Sequence, residues 1–157
     1  MARRAIPPPA PVASPFIVVI EDDLPTRRAY RLLLEGYGYR VHDEADGLAG
    51  LRAVWRFAPD LVITDVNMPR LSGIDLAITI RSLPETRDVP IIAATGERIP
   101  PALQNRGMFD AVLPKPFSPP DLIRVVRGVF AARAKKNRAA RRTAQSNVPE
   151  VNRRRVS

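Results

Sequence analysis

The sequence predicts an α/β fold, an open doubly wound sheet of five parallel strands in the order 2-1-3-4-5. Three observations lead there. Short apolar runs alternate with amphipathic stretches from Phe16 to Ala132. The central runs are apolar at every position rather than at every second one, as in parallel strands covered by helices on both faces. The chain has 157 residues, one domain's worth, and five βα units fit so short a length most economically as an open sheet.

Residues 1–15 carry Pro7, Pro8, Pro9, Pro11 and Pro15 and no apolar periodicity, so they are expected to be a disordered, extended arm. Phe16–Ile20 reads as the first strand and Leu24–Glu35 as the helix after it. A less apolar strand follows at Tyr39–Asp43. Leu48, Leu51, Val54, Trp55 and Ala58 recur at helical spacing, which assigns Leu48, Leu51 and Trp55 to the core. Leu61–Ile63 is the third strand, Ile74–Leu83 a helix, and Pro90–Ala94 the fourth strand. Pro100 and Pro101 leave room only for a short helix before Gly107. Asp110–Leu113 is the fifth strand, and Leu122, Ile123, Val125, Val126, Val129 and Phe130 mark the last helix. The folded domain is therefore placed at residues 16–132. Residues 133–157 have no apolar face and are expected to be a basic, disordered tail into which the last helix extends and frays.

With no cysteine, disulfides, thiolate metal sites and cysteine nucleophiles are excluded, and a cytoplasmic location is expected. The only long uncharged stretch, Ala5–Ile20, is broken by five prolines, so it is neither a signal-peptide core nor a membrane span. The net charge of +9 is distributed unevenly. Residues 133–157 hold nine Lys or Arg against the single acid Glu150, while residues 16–132 are close to neutral, with 14 bases and 15 acids. A nucleic-acid-binding fold would carry its basic stripe on the fold itself. Here the basicity is an appendage, offering at most weak, nonspecific contact with nucleic acid.

The residues that follow the strands carry the chemistry. Glu21, Asp22 and Asp23 follow the first strand, Thr64 and Asp65 the third, Thr95 the fourth, and Pro114, Lys115 and Pro116 the fifth. In the predicted order, acids, a hydroxyl and an ammonium converge on one rim. Three carboxylates so close repel one another unless a cation neutralises them. Oxygen donors without His or Cys suit a hard ion, and few protein ligands suit Mg2+, which keeps waters and accepts phosphate oxygens. A carboxylate beside magnesium can accept a phosphoryl group as an aspartyl phosphate. His42, the only histidine, falls in the second strand and receives no role.

These pieces resemble the receiver domain of response regulators in bacterial two-component signalling. The resemblance rests on Val18-Val19-Ile20-Glu21-Asp22-Asp23 with Arg27, Pro59-Asp60-Leu61-Val62-Ile63-Thr64-Asp65-Val66-Asn67-Met68-Pro69 with Gly73, Ile91-Ile92-Ala93-Ala94-Thr95-Gly96, and Leu113-Pro114-Lys115-Pro116-Phe117, in order and at family spacing. It implies a flavodoxin-like sheet and phosphorylation of Asp65 by a histidine kinase. Asp22 would bind magnesium directly and Glu21 through water, with a backbone carbonyl from Asn67. Thr95 would be the switch hydroxyl and Lys115 the contact to the phosphoryl group, with a cis peptide at Lys115-Pro116. Asn67 and Glu97 stand where the family tunes autodephosphorylation, so the resemblance implies a switch rather than an enzyme. The implied partners are a sensor histidine kinase or phosphotransfer protein and a downstream protein target; a homodimer is also compatible, and no membrane is involved.

Two features depart from the family. Val112 stands where most members carry an aromatic that moves with the switch hydroxyl, and the two prolines alter the fourth helix. With no length for an output domain after residue 132, a stand-alone receiver is expected. Three other readings stay open: a degenerate receiver acting as a fixed binding module, a basic-tailed nucleic-acid-binding accessory protein, and a small magnesium phosphatase. The last needs a general acid near the nucleophile, and two residues on from Asp65 stands Asn67.

Overall fold

The apolar runs seen in the sequence do form the strands of one sheet. The computed structural model describes residues 14–99, 101 and 107–146. Its elements are β1 (Phe16–Ile20), α1 (Leu24–Gly36), β2 (Arg40–Glu44), α2 (Gly47–Phe57), β3 (Leu61–Thr64), α3 (Gly73–Ser82), β4 (Ile91–Thr95), β5 (Ala111–Pro114) and α4 (Pro119–Ser146). The sheet is parallel and ordered β2-β1-β3-β4-β5, as expected. The short helix expected between Pro100 and Gly107 falls largely outside the described residues, as does the arm up to residue 13.

Alternation along the strands sorts the core into two layers. Ile17, Val19, Leu61, Ile63, Ile92, Ala94 and Leu113 face α1 and α4, meeting Tyr30, Leu34, Leu122, Ile123, Val126 and Val129. Val18, Ile20, Val62 and Ile91 face α2 and α3, meeting Leu51, Val54, Leu76, Ala77 and Ile80. Polar side chains cap the helix starts. Asp23, Asp46 and Ser72 each accept, through the side chain, an N–H of the first turn, from Thr26, Ala49 and Asp75 respectively.

Three expectations change. Trp55 and Leu48 are not core: they are 52% and 43% exposed. The buried stripe of α2 runs through Gly47, Gly50, Leu51 and Val54, and Leu48 and Trp55, seven residues apart, share a stripe rotated away from it. β3 and β4 also end one residue later than their apolar runs, because backbone pairing carries buried Thr64 and Thr95 into the ladder, opposite Ile20 and Pro114. Finally, where the sequence predicts fraying beyond Ala132 into a disordered tail, α4 is helical to Ser146, on a run rich in the strong helix formers Ala, Arg and Lys, while 147–157 lie outside the described residues.

Candidate functional site

The register of three strands places the acids. Ile20 pairs with Thr64, so Glu21 and Asp65 leave neighbouring strands at the same level, and the Asp65 N–H donates to the Ile20 carbonyl at 2.9 Å. Carboxylate oxygens of Glu21, Asp22 and Asp65 lie within 4.8 Å of one another. On the far side β5 delivers Lys115, whose N–H donates to the Thr95 carbonyl at 2.8 Å. Its ammonium reaches across the end of the sheet, 2.7 Å from Glu21 Oε2 and 3.3 Å from Asp65 Oδ2. The Lys115-Pro116 peptide is cis.

Each carboxylate has its own surroundings. Glu21 is 2% exposed, with Lys115 on one oxygen and the Asp23 N–H donating to the other at 3.4 Å. Burial pushes its carboxyl above the ordinary range, and the hydrogen bond and charge of Lys115 oppose that rise without cancelling it. Burial alone would lower the Lys115 ammonium, but its hydrogen bond to Glu21 and the charges of Glu21 and Asp65 win, so it is held above its usual value. Asp65 Oδ1 accepts from the Val66 N–H at 2.7 Å and, at 3.5 Å, from that of Asn67. Its other oxygen is the one facing Lys115. Asp22 is exposed at the mouth.

The acid excess decides what the rim can hold. Three carboxylates face one ammonium, and the donors are oxygens only. Such a set fits a small hard divalent cation and does not fit a soft one.

Of the residues singled out from the sequence, Glu21, Asp22, Asp65 and Lys115 are brought together directly, and Asn67 joins through its backbone. Thr95 is 1% exposed at the end of β4, and its hydroxyl accepts from the Glu97 N–H at 3.1 Å. Beside it an open cavity of about 290 Å³ is lined by Thr95, Glu97, Ile99, Val112 and Pro114 among others. Two supporting residues received no role from the sequence. The Arg27 guanidinium donates to the Glu21 and Asp22 carbonyls at 2.7 and 3.4 Å while pairing with Asp43, pinning the acidic loop from behind. Gly73 packs directly beneath Asp65: a Cβ there would lie 2.1 Å from the Asp65 carbonyl oxygen. Both stood in the motifs that carried the resemblance, an Arg one turn into the helix after the acids and a Gly soon after the strand-end aspartate, but without an assigned role.

Residues 17–127 match the family model of the response regulator receiver domain. The chain is 35% identical over 135 residues to the response regulator MprA of Mycobacterium leprae, a match covering 83% of this chain and 57% of that protein. It is 28% identical over 118 residues to the polar-differentiation response regulator DivK of Brucella anthropi, covering 71% of this chain and 92% of the relative. Among solved structures it resembles the receiver domain of the sensor histidine kinase PA1611 from Pseudomonas aeruginosa PAO1, which has a magnesium ion coordinated in its active-site cleft. The TM-score is 0.69 at 28% identity, over 76% of this chain and 99% of that one.

Proposed function

The chain belongs to the response regulator receiver family, and on that premise we propose that it is a phospho-acceptor switch of two-component signalling. Asp65 accepts a phosphoryl group from a sensor histidine kinase or phosphotransfer protein, and the chain signals by contact with a downstream protein. An Asp65 carboxylate oxygen forms the new bond to phosphorus as the bond from phosphorus to the donor's imidazole nitrogen breaks, and the electron pair stays with the imidazole. Magnesium would be held by Asp22, Asp65, the Asn67 carbonyl and, through water, Glu21, and when bound would neutralise the phosphoryl oxygens. Lys115 pairs with the transferred group and Thr95 donates its hydroxyl to it. Water later hydrolyses the acyl phosphate, with Asn67 and Glu97 flanking its approach.

The observation that carries this reading is the position of Lys115. One ammonium contacts Glu21 and Asp65 together, leaving the more exposed Asp22 without a cation of the protein's own within ion-pair distance among the described residues. A structural ion pair needs one acid per base, whereas a site that takes up both a divalent cation and a phosphoryl dianion needs surplus acid and a movable ammonium. The test is labelling with a small-molecule phosphodonor and magnesium. Wild type should incorporate a base- and hydroxylamine-labile phosphate that Asp65→Asn lacks. Label persisting in that variant at the wild-type level would refute the assignment.

A further inference from the structure

The feature this function leaves unused is the far end of α4. The apolar clusters engage α4 no further than Phe130, Arg133 Nη1 donates to the Asp60 carbonyl at 3.0 Å, and Lys136, Asn137 and Ala140 border a groove shared with Arg81, Asp88 and Asp110 of the body. Beyond Arg133 the helix continues to Ser146 with Lys135, Lys136, Arg138, Arg141 and Arg142 and not one acid. These five are exposed and form no ion pair among the described residues. In the body, Arg27, Arg31, Arg70, Arg81 and Arg124 pair with carboxylates, while among the described residues Arg28, Arg40, Arg52, Arg56, Arg87, Arg98 and Arg127 do not. What sets the extension apart is the concentration of five cations in eight residues with no acid among them.

We propose that the α4 extension is a binding site for the phosphate backbone of duplex DNA, entered by the helix without reading sequence. The helix dipole does not explain the charges, since its effect is confined to the last turn and Lys135, Lys136 and Arg138 lie two turns or more before Ser146. The extension is not an inserting membrane anchor: between the cations stand only Asn137, Ala139 and Ala140, with no Leu, Phe or Trp to insert. Single strands are bound on aromatic platforms, and residues 131–157 contain no aromatic. An α-helix about 10–12 Å across matches the roughly 12 Å major groove of B-DNA, whereas the major groove of duplex RNA is too narrow to admit it. Cations distributed around the helix then meet the phosphates on either wall of the groove. Binding also relieves their mutual repulsion, so helix content should rise.

The size of the effect follows from the count. Five phosphate contacts give a slope of about −4.5 in log K against log salt, or a roughly 500-fold loss of affinity between 50 and 200 mM salt. The experiment uses the full chain and a mixed-sequence duplex of about 25 base pairs, followed by fluorescence anisotropy across that range. The comparison variant replaces all five cations by Gln, which keeps helix propensity. The expected result is salt-dependent binding whose slope flattens by 4 to 5 in the variant, while labelling of Asp65 stays at the wild-type level. A second variant, Arg138→Pro, keeps four of the five charges but breaks the helix, and should lose far more affinity than Arg138→Gln. An unchanged slope in the five-fold variant, equal loss in the two Arg138 variants, or equal or tighter binding to duplex RNA, single-stranded DNA or anionic vesicles would each overturn the proposal.

Discussion

Replacing Gly73 by Ala tests whether the seat beneath Asp65 is rigid. Gly73 is the first residue of α3, and its N–H donates to the Val66 carbonyl at 2.9 Å. An added Cβ would stand 2.1 Å from the Asp65 carbonyl oxygen and 3.0 Å from both the Asp65 carbonyl carbon and the Val66 Cα. All three obstacles are main chain, so no rotamer change clears them. Ala is favoured over Gly in a helix by about 1 kcal/mol. Overpacking against atoms that cannot yield costs about 3 kcal/mol, the upper end of its usual range. The net expectation is a loss of about 2 kcal/mol, or a melting temperature lower by roughly 6–8 °C for a domain of this size. Gly128→Ala is the control. It lies within α4 with nothing inside 4 Å of the added Cβ, so propensity alone operates and stability should rise by about 0.5–1 kcal/mol. Urea melts of both variants and the labelling rate of Asp65 are the measurements. If Gly73→Ala is as stable as wild type and labels at the same rate while Gly128→Ala gains, the loop yields freely and the packing argument is wrong.

Two further changes follow from the ion pairs. Lys115→Met should destabilise by about 2–3 kcal/mol, because it strands the buried Glu21 carboxylate. The figure lies below the roughly 3–5 kcal/mol for breaking a fully buried pair because the lysine side chain is 26% exposed. Urea melts should show part of the loss recovered by magnesium, and a variant as stable as wild type would count against Lys115 as the counter-charge. Asp46→Ala removes the N-cap of α2 and the partner of Arg70, for an expected loss of about 1 kcal/mol. The bond from the Ala49 N–H, with Arg70 nearby, holds the Asp46 carboxyl below its ordinary value. Its contribution is therefore complete above the unfolded value of about 3.9 and is lost as pH falls through the lower folded one. The gap between wild type and Asp46→Ala should narrow below about pH 4, and a gap that widens on acidification would show the opposite sign.

The sequence carried the sheet because burial on both faces leaves a signal that survives without tertiary information: apart from Phe16 and the terminal Thr64 and Thr95, β1, β3 and β4 are runs of Val, Ile, Leu and Ala. It carried Asp22, Asp65 and Lys115 because strand ends are where such a sheet presents chemistry. What stayed hidden needed three dimensions. Trp55 fits a helical period as well as Leu51 does, and only the direction in which α2 lies on the sheet separates the buried stripe from the exposed one. Arg27 stood in the first motif without a role until the fold turned it back onto the Glu21 carbonyl. The reach of α4 was legible in part: extension past Ala132 was expected, but apolar periodicity falls silent at Phe130, and it is propensity that carries the helix, without fraying, as far as Ser146.

That single helix joins the two ends of the molecule. α4 starts at Pro119, four residues after Lys115 at the reactive rim, and runs back along the sheet until Arg133 meets Asp60, just ahead of β3. At 1.5 Å per residue, Pro119 and Arg133 are about 21 Å apart along the axis, more than twice the Debye length of about 8 Å at physiological salt. A phosphoryl group on Asp65 therefore cannot weaken the pull of the α4 extension on a polyanion by charge alone. Any change of DNA affinity on phosphorylation has to travel through the packing of α4, where Leu122, Ile123, Val126 and Val129 sit against the sheet. The two routes separate experimentally. A charge effect would alter the salt slope, because the number of phosphates engaged is effectively changed, whereas repositioning of an intact basic helix would shift affinity by the same factor at every salt concentration. Phosphorylated and unphosphorylated chains should accordingly give parallel lines in log K against log salt, and converging lines would show that the rim and the helix end feel each other directly.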